Sequence, residues 1–162
     1  MINKYKLAIY ALHPIMYQVP IFKELKKVLD NGNLNVKSVV LFGDDLSLKN
    51  TFSKAFQTSF SYGNWLIEGY THKLLKNYAK DARGGFFSRI NFGIFKELRK
   101  EKYDVILIHG YESLTAWLTM AAAKLTGTKI IWRGEAVLRG IEGDSHVLTS
   151  PASLLPVEQA SV

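Results

Sequence analysis

The chain has 162 residues, 48% of them hydrophobic and 22% charged, with a net charge of +7 and no cysteine. That is enough apolar material for one compact domain, and the missing thiols exclude disulfides and thiolate metal sites. The apolar stretch after Asn3, Lys4 and Lys6 is too short for a secretory core or a membrane span.

In chain order, Lys6–Leu12 is an apolar run with little alternation, as expected of a strand covered on both faces. Pro20 to Leu29 places Ile21, Phe22, Leu25, Val28 and Leu29 at helical spacing, and Asp30-Asn31-Gly32-Asn33 stops that helix. Val36–Phe42 reads as a second strand, ending at Gly43-Asp44-Asp45. Residues 46–91 show neither period, and Arg83-Gly84-Gly85 reads as a mobile loop. A helix is expected over Phe92–Lys102 and a buried strand over Val105–Ile108. Ser113 then caps a helix from Leu114 to Leu125, Thr126-Gly127 ends it, and Lys129–Trp132 is a last strand. This order implies an α/β fold: a Rossmann-like, mostly parallel sheet with helices on both faces. The domain is expected to span residues 1–143, and 144–162 to be an irregular tail outside the core.

Charge is unevenly distributed. Residues 49–102 carry eleven Lys and Arg against four acids, so this segment holds the whole excess, together with eleven of the twenty aromatic residues. Such a segment suits either an anionic surface or a solvated helix face. Nucleic acid is not expected as a partner, because no groove-reading or single-strand platform motif accompanies the charge.

In an open parallel sheet, ligands sit beyond the carboxyl ends of the strands. Here those ends carry His13-Pro14, Gly43-Asp44-Asp45, His109-Gly110-Tyr111-Glu112 and Arg133-Gly134-Glu135. His13 is either a turn residue or a ligand contact, and His109 either a structural or a functional imidazole. Arg133 and Glu135 either pair locally or bind a polyhydroxylated or anionic ligand, since a guanidinium fork suits paired oxygens. Pro14 biases His13 away from helical geometry, which leaves room for a loop before the helix, and Gln18 can offer amide hydrogen bonds there. The phosphate loop, the Gly-x-Gly-x-x-Gly turn and the Gly-x-Ser-x-Gly elbow are absent, as is any zinc-like spacing.

Taken together, "LHPIMYQVPIFKEL", "GYTHKLLKN" and "YDVILIHGYESLTAWLTMAAAKLTGTKIIWRGE" resemble the N-terminal domain of GT-B glycosyltransferases. The likeness is to the group 1, or family 4, retaining enzymes of bacterial polysaccharide synthesis. The resemblance implies two Rossmann-like domains across a cleft, the first binding a glycan or lipid-linked acceptor and the second a nucleotide-sugar. It casts His109 as catalytic and His13, Gln18, Tyr111, Arg133 and Glu135 as substrate-binding. Lys73, Lys76, Arg83 and Arg89 become a membrane or acceptor surface. No metal or cofactor is expected beyond the nucleotide-sugar co-substrate. A complete enzyme of this kind would be about twice as long, so this chain is expected to lack the donor-binding domain and to be inactive alone. It is expected in the cytoplasm, peripheral to the inner face of the plasma membrane. The competing reading is a non-catalytic glycan- or partner-binding module, such as one subunit of a split glycosyltransferase.

Overall fold

A computed structural model describes residues 5–32, 34–48, 51–53, 58–60, 63–81 and 85–134. The elements in chain order are β1 (Tyr5–Ala11), α1 (Val19–Asn31), β2 (Val36–Phe42), β3 (Thr51–Ser53), β4 (Thr58–Phe60), β5 (His72–Leu74), α2 (Gly93–Glu101), β6 (Val105–His109), α3 (Leu114–Thr126) and β7 (Lys129–Arg133). Five of the strands make one sheet in the order β5-β2-β1-β6-β7, and every pairing in it is parallel. β3 and β4 form a separate antiparallel pair.

β1 sits at the centre. Its Ile9 lies opposite Val40 on one side and Leu107 on the other. From Ala8 to Ala11 β1 is buried on both faces, and the period-2 alternation of an exposed strand is accordingly missing there. Alternate residues feed two cores. Ala8, Tyr10, Val39, Leu41, Ile106 and Ile108 pack under α2 and α3, through Ile94, Leu98, Ala116, Ala122 and Ala123. Ile9, Ala11, Val40 and Phe42 pack under α1, through Val19 and Phe22, with Leu66 and Tyr70 closing the same side. Helices therefore cover both faces. The reason is topological. β1 connects outward to β2 in one direction, whereas β6 connects outward to β7 in the other. Right-handed crossovers running in opposite directions put their helices on opposite faces.

The ends of the helices follow local chemistry. Ser113 Oγ accepts from the Ala116 amide at 3.3 Å and caps α3. Gly127 closes that helix at φ 73°, a left-handed conformation that suits glycine. α1 begins at Val19 with Pro20 in its first turn, where a missing N–H costs nothing.

The stretch expected to be irregular holds the short edge strand β5 and the β3–β4 pair. Of the assignments made from sequence, Arg83, Gly84, Glu135 and the tail 144–162 lie outside the described residues. β7 is exposed along its whole length, including Ile130, Ile131 and Trp132.

Asn91, fully buried, ties the carboxyl edge of the sheet together. Its Nδ2 donates to the carbonyls of Gly43 (2.8 Å), Lys76 (2.9 Å) and Leu75 (3.3 Å), just past β2 and β5. Its Oδ1 accepts from Thr115 Oγ1 at 2.8 Å in the first turn of α3, and its backbone N–H donates back to that hydroxyl at 3.0 Å. Asn91→Ala strands several buried polar groups at once, each worth about 1–3 kcal/mol when unsatisfied. The variant should lose about 3 kcal/mol of unfolding free energy in urea titration, with the slope unchanged.

Candidate functional site

The order of the sheet reverses between β1 and β6, and in open α/β sheets the crevice beyond such a reversal is where ligands bind. A cavity of about 110 Å³ lies there. The loop after β1 supplies Leu12, Ile15, Tyr17 and Gln18; the end of β6 supplies His109 to Glu112; β7 supplies Arg133. Three stretches far apart in sequence thus meet because parallel strands end on a common rim.

Gln18 is 7% exposed. It stands at the N-cap of α1, yet its side chain makes no capping bond, and its Oε1 has no hydrogen-bond partner. The backbone explains how this is tolerated locally. The Gln18 amide donates to the Ile15 carbonyl at 3.0 Å, and its own carbonyl accepts from Phe22 at 3.2 Å. The main chain is satisfied, so the side-chain amide is left to face the cavity. A buried acceptor without a donor costs about 1–3 kcal/mol, and a ligand hydroxyl or N–H would recover that cost.

His109 ends β6 opposite Arg133. Its ring meets the edge of Phe22 at 90° and 6.4 Å, which fixes the plane of the imidazole. Gly110 follows at φ 72° and donates its N–H to the Arg133 carbonyl at 2.9 Å. No atom lies within 4 Å of where a Cβ would stand, so conformation rather than crowding calls for glycine here. The turn sends Tyr111 onto Trp132, ring centroids 5.8 Å apart. Trp117 Nε1 donates to the Tyr111 carbonyl at 3.1 Å and holds the turn against α3.

Four of the residues singled out from sequence, Gln18, His109, Tyr111 and Arg133, therefore line one cavity. His13 does not line it. The ring of His13 is partly buried with Nδ1 lacking a partner, and it lies in the field of Asp44 and Arg89. Glu135 and Arg83 fall outside the described residues.

Arg89 departs from the expected exposed surface. It is 9% exposed, its Nε 2.5 Å from Asp44 Oδ2 and its Nη1 2.7 Å from Ser88 Oγ. It locks the loop after β2 to the segment before α2. Lys73 is likewise committed: its ammonium lies 2.6 Å from Glu97 and 3.2 Å from Glu101. Lys76 is exposed, over the ring of Tyr78 at 4.9 Å. Tyr17 and Glu112 line the cavity without having been singled out. Tyr17 lay within the quoted stretch from Leu12 to Leu25 without being named itself, and Glu112 was visible only as part of the strand-end cluster.

The cavity thus gathers an amide acceptor, an imidazole, a guanidinium, a carboxylate and two phenols. That set matches a ligand rich in hydroxyls with paired anionic oxygens. Two larger hollows carry less chemistry. One, about 560 Å³, lies where β1 and β2 begin. Its Lys6, Lys26 and Lys73 already face Glu101, Asp30 and Glu97. The other, about 620 Å³, runs between α2 and α3 past Phe95 and Leu125. Among the described residues no three His, Asp or Glu side chains group as metal ligands. No helix there is long and apolar enough to cross a membrane. No family model, curated protein or solved structure matches the chain.

Two outcomes test this arrangement. Burial lowers the pKa of His13 from its ordinary 6.5; Asp44 pulls it upward and Arg89 downward. The unfolded chain therefore takes up the proton more readily. The stabilising contribution of neutral His13 is complete above 6.5 and is lost as pH falls through its lower folded value. His13→Asn should flatten the acid side of the stability curve, read by denaturant unfolding between roughly pH 7 and 5. Arg89→Ala leaves Asp44 buried without its cation and should cost about 3–5 kcal/mol in the same assay.

Proposed function

We propose that this domain is the acceptor-side half of a glycosyltransferase that moves a sugar from a nucleotide-sugar to a glycan or lipid-linked acceptor. The observation that carries the reading is the meeting of Gln18, His109, Tyr111 and Arg133 around one cavity at the reversal point of the sheet. The sequence likeness of these same stretches to GT-B enzymes supports it.

In this reading Gln18 Oε1 accepts from a sugar hydroxyl, and His109, oriented by Phe22, touches the sugar near the reacting centre. Arg133 takes paired anionic oxygens. Tyr17 and Tyr111 wall the opening with rings that suit the apolar face of a pyranose. The domain contributes placement, holding the acceptor against a donor bound by a second half, and such placement is a large part of a transfer barrier. It works from the cytoplasm, peripheral to the inner face of the plasma membrane, where lipid-linked acceptors are presented.

The test is saturation-transfer NMR on the chain with a panel of nucleotide-sugars, oligosaccharides and polyprenyl phosphates. A glycan-bearing ligand should bind, and Gln18→Leu or Arg133→Ala should weaken it about tenfold each, the size of one hydrogen bond involving a charged or buried group. Binding that survives both substitutions unchanged, or no glycan binding at all, rejects the reading.

A further inference from the structure

The structure divides the charges of α2 by face. Its two carboxylates are held on one side: Glu97 accepts from Lys73 and from the Tyr103 hydroxyl at 2.7 Å, and Glu101 faces Lys73 and Lys6. Ile94 and Leu98 are buried. The opposite side is left to Phe92, Lys96, Arg99 and Lys100, all exposed, at the i, i+4, i+7 and i+8 spacing of one helical stripe. Of the basic residues read from sequence as a surface, Lys73 and Arg89 are taken up by internal carboxylates, whereas Lys76 is exposed.

Beside this stripe is a loop with exposed aromatic rings. The Tyr78 amide donates to the Ile90 carbonyl at 3.0 Å. Asn77 spans the same two strands of the loop, donating to the Ser88 carbonyl at 2.9 Å and accepting from the Ile90 amide at 2.9 Å. This holds Tyr78 against Phe92, ring centroids 6.1 Å apart, with Phe86 and Phe87 in edge contact at 5.1 Å. Tyr78, Phe87 and Phe92 are 54%, 68% and 57% exposed. Phenyl rings kept in water by a hydrogen-bonded loop, next to ammonium groups without exposed carboxylates on the same helix stripe, match the interface of a bilayer. There the rings enter the headgroup layer and the cations meet anionic lipid. Asp81 is the one acid among the described residues of this loop.

We infer that the loop segments 75–81 and 85–92 and the outer stripe of α2 dock on an anionic lipid bilayer. Single-stranded nucleic acid fits less well, because it needs open ring faces for stacking. Here Lys76 covers Tyr78, and Phe86 and Phe87 stand at 89° to each other. The inference deepens the proposed function by naming the surface that presents a lipid-linked acceptor. It rests on that reading only for its purpose, because the surface is defined without the sugar cavity.

The experiment is vesicle co-sedimentation of the full chain without any sugar. Phosphatidylcholine vesicles containing phosphatidylglycerol should bind it, pure phosphatidylcholine should bind it weakly, and added salt should release it. Lys96→Gln with Lys100→Gln should weaken binding by about fivefold per charge removed. Phe87→Ser should weaken it again without altering the glycan signal that depends on Gln18. These side chains are exposed, and circular dichroism will report that the variants fold. Equal binding to both vesicle types, full binding by the variants, or a preference for single-stranded DNA over acidic vesicles would overturn the inference. A failed glycan assay with intact vesicle binding overturns the sugar reading and leaves this one standing.

Discussion

One buried amide governs how the carboxyl edge of this domain is built. Asn91 is the point at which the ends of β2 and β5, the start of α2 and the first turn of α3 are joined. Strand ends in a parallel sheet leave carbonyls pointing past the last ladder bond, and buried carbonyls need donors. A carboxamide supplies donors and an acceptor on one short stem, so it can satisfy two strand ends and a helix turn together. Gly43 shows how tight the fit is. A Cβ there would come 3.0 Å from Tyr10 Oη, 3.1 Å from the Leu12 carbonyl and 3.2 Å from Asn91 Oδ1. The buried Asp44–Arg89 pair continues the same edge outward.

This rigid edge divides the rim into two compartments. On the β2 side the polar groups are spent on one another: Asp44 on Arg89, Arg89 on Ser88, and His13 sits within their field. On the β6 side Gln18 is held by its backbone while its side-chain oxygen is kept from any protein donor. The first arrangement buttresses the fold, and the second is suited to a ligand. His13 and Gln18 are five residues apart on one loop and fall into different compartments, with the turn closed by the Gln18 amide on the Ile15 carbonyl lying between them.

The sequence disclosed the central strands well. Lys6–Leu12, Val36–Phe42 and Val105–Ile108 are apolar runs of strand length, and burial of both faces leaves little else they can be. α3 was legible from Ser113 and Gly127, whose roles depend on local backbone chemistry alone. β5 was not legible. His72-Lys73-Leu74 is a three-residue edge strand whose pairing to Val40–Phe42 is set by tertiary packing, and three residues carry no period. The gathering of Gln18, His109, Tyr111 and Arg133 followed from parallel topology, which makes strand ends neighbours. The fate of the basic residues did not follow. Whether a lysine meets water or a carboxylate depends on long-range partners: Lys73 and Glu97 are 24 positions apart, and Arg89 and Asp44 are 45.

The central position of β1 also bears on the order of events during synthesis. Its first neighbour, β2, emerges soon after it, but the second, β6, arrives only after the 62 residues from Gly43 to Asp104. The bond from the Lys6 amide to Asp104 spans 98 positions. At ribosomal elongation rates of 5–20 residues per second, one flank of β1 stays open on the nascent chain for roughly 3 to 12 s. Throughout that interval Leu7 to Tyr10 offers an apolar, unsatisfied ladder to the surroundings. Demand for chaperone cover should therefore arise early in translation, well before the rim at the strand ends is assembled.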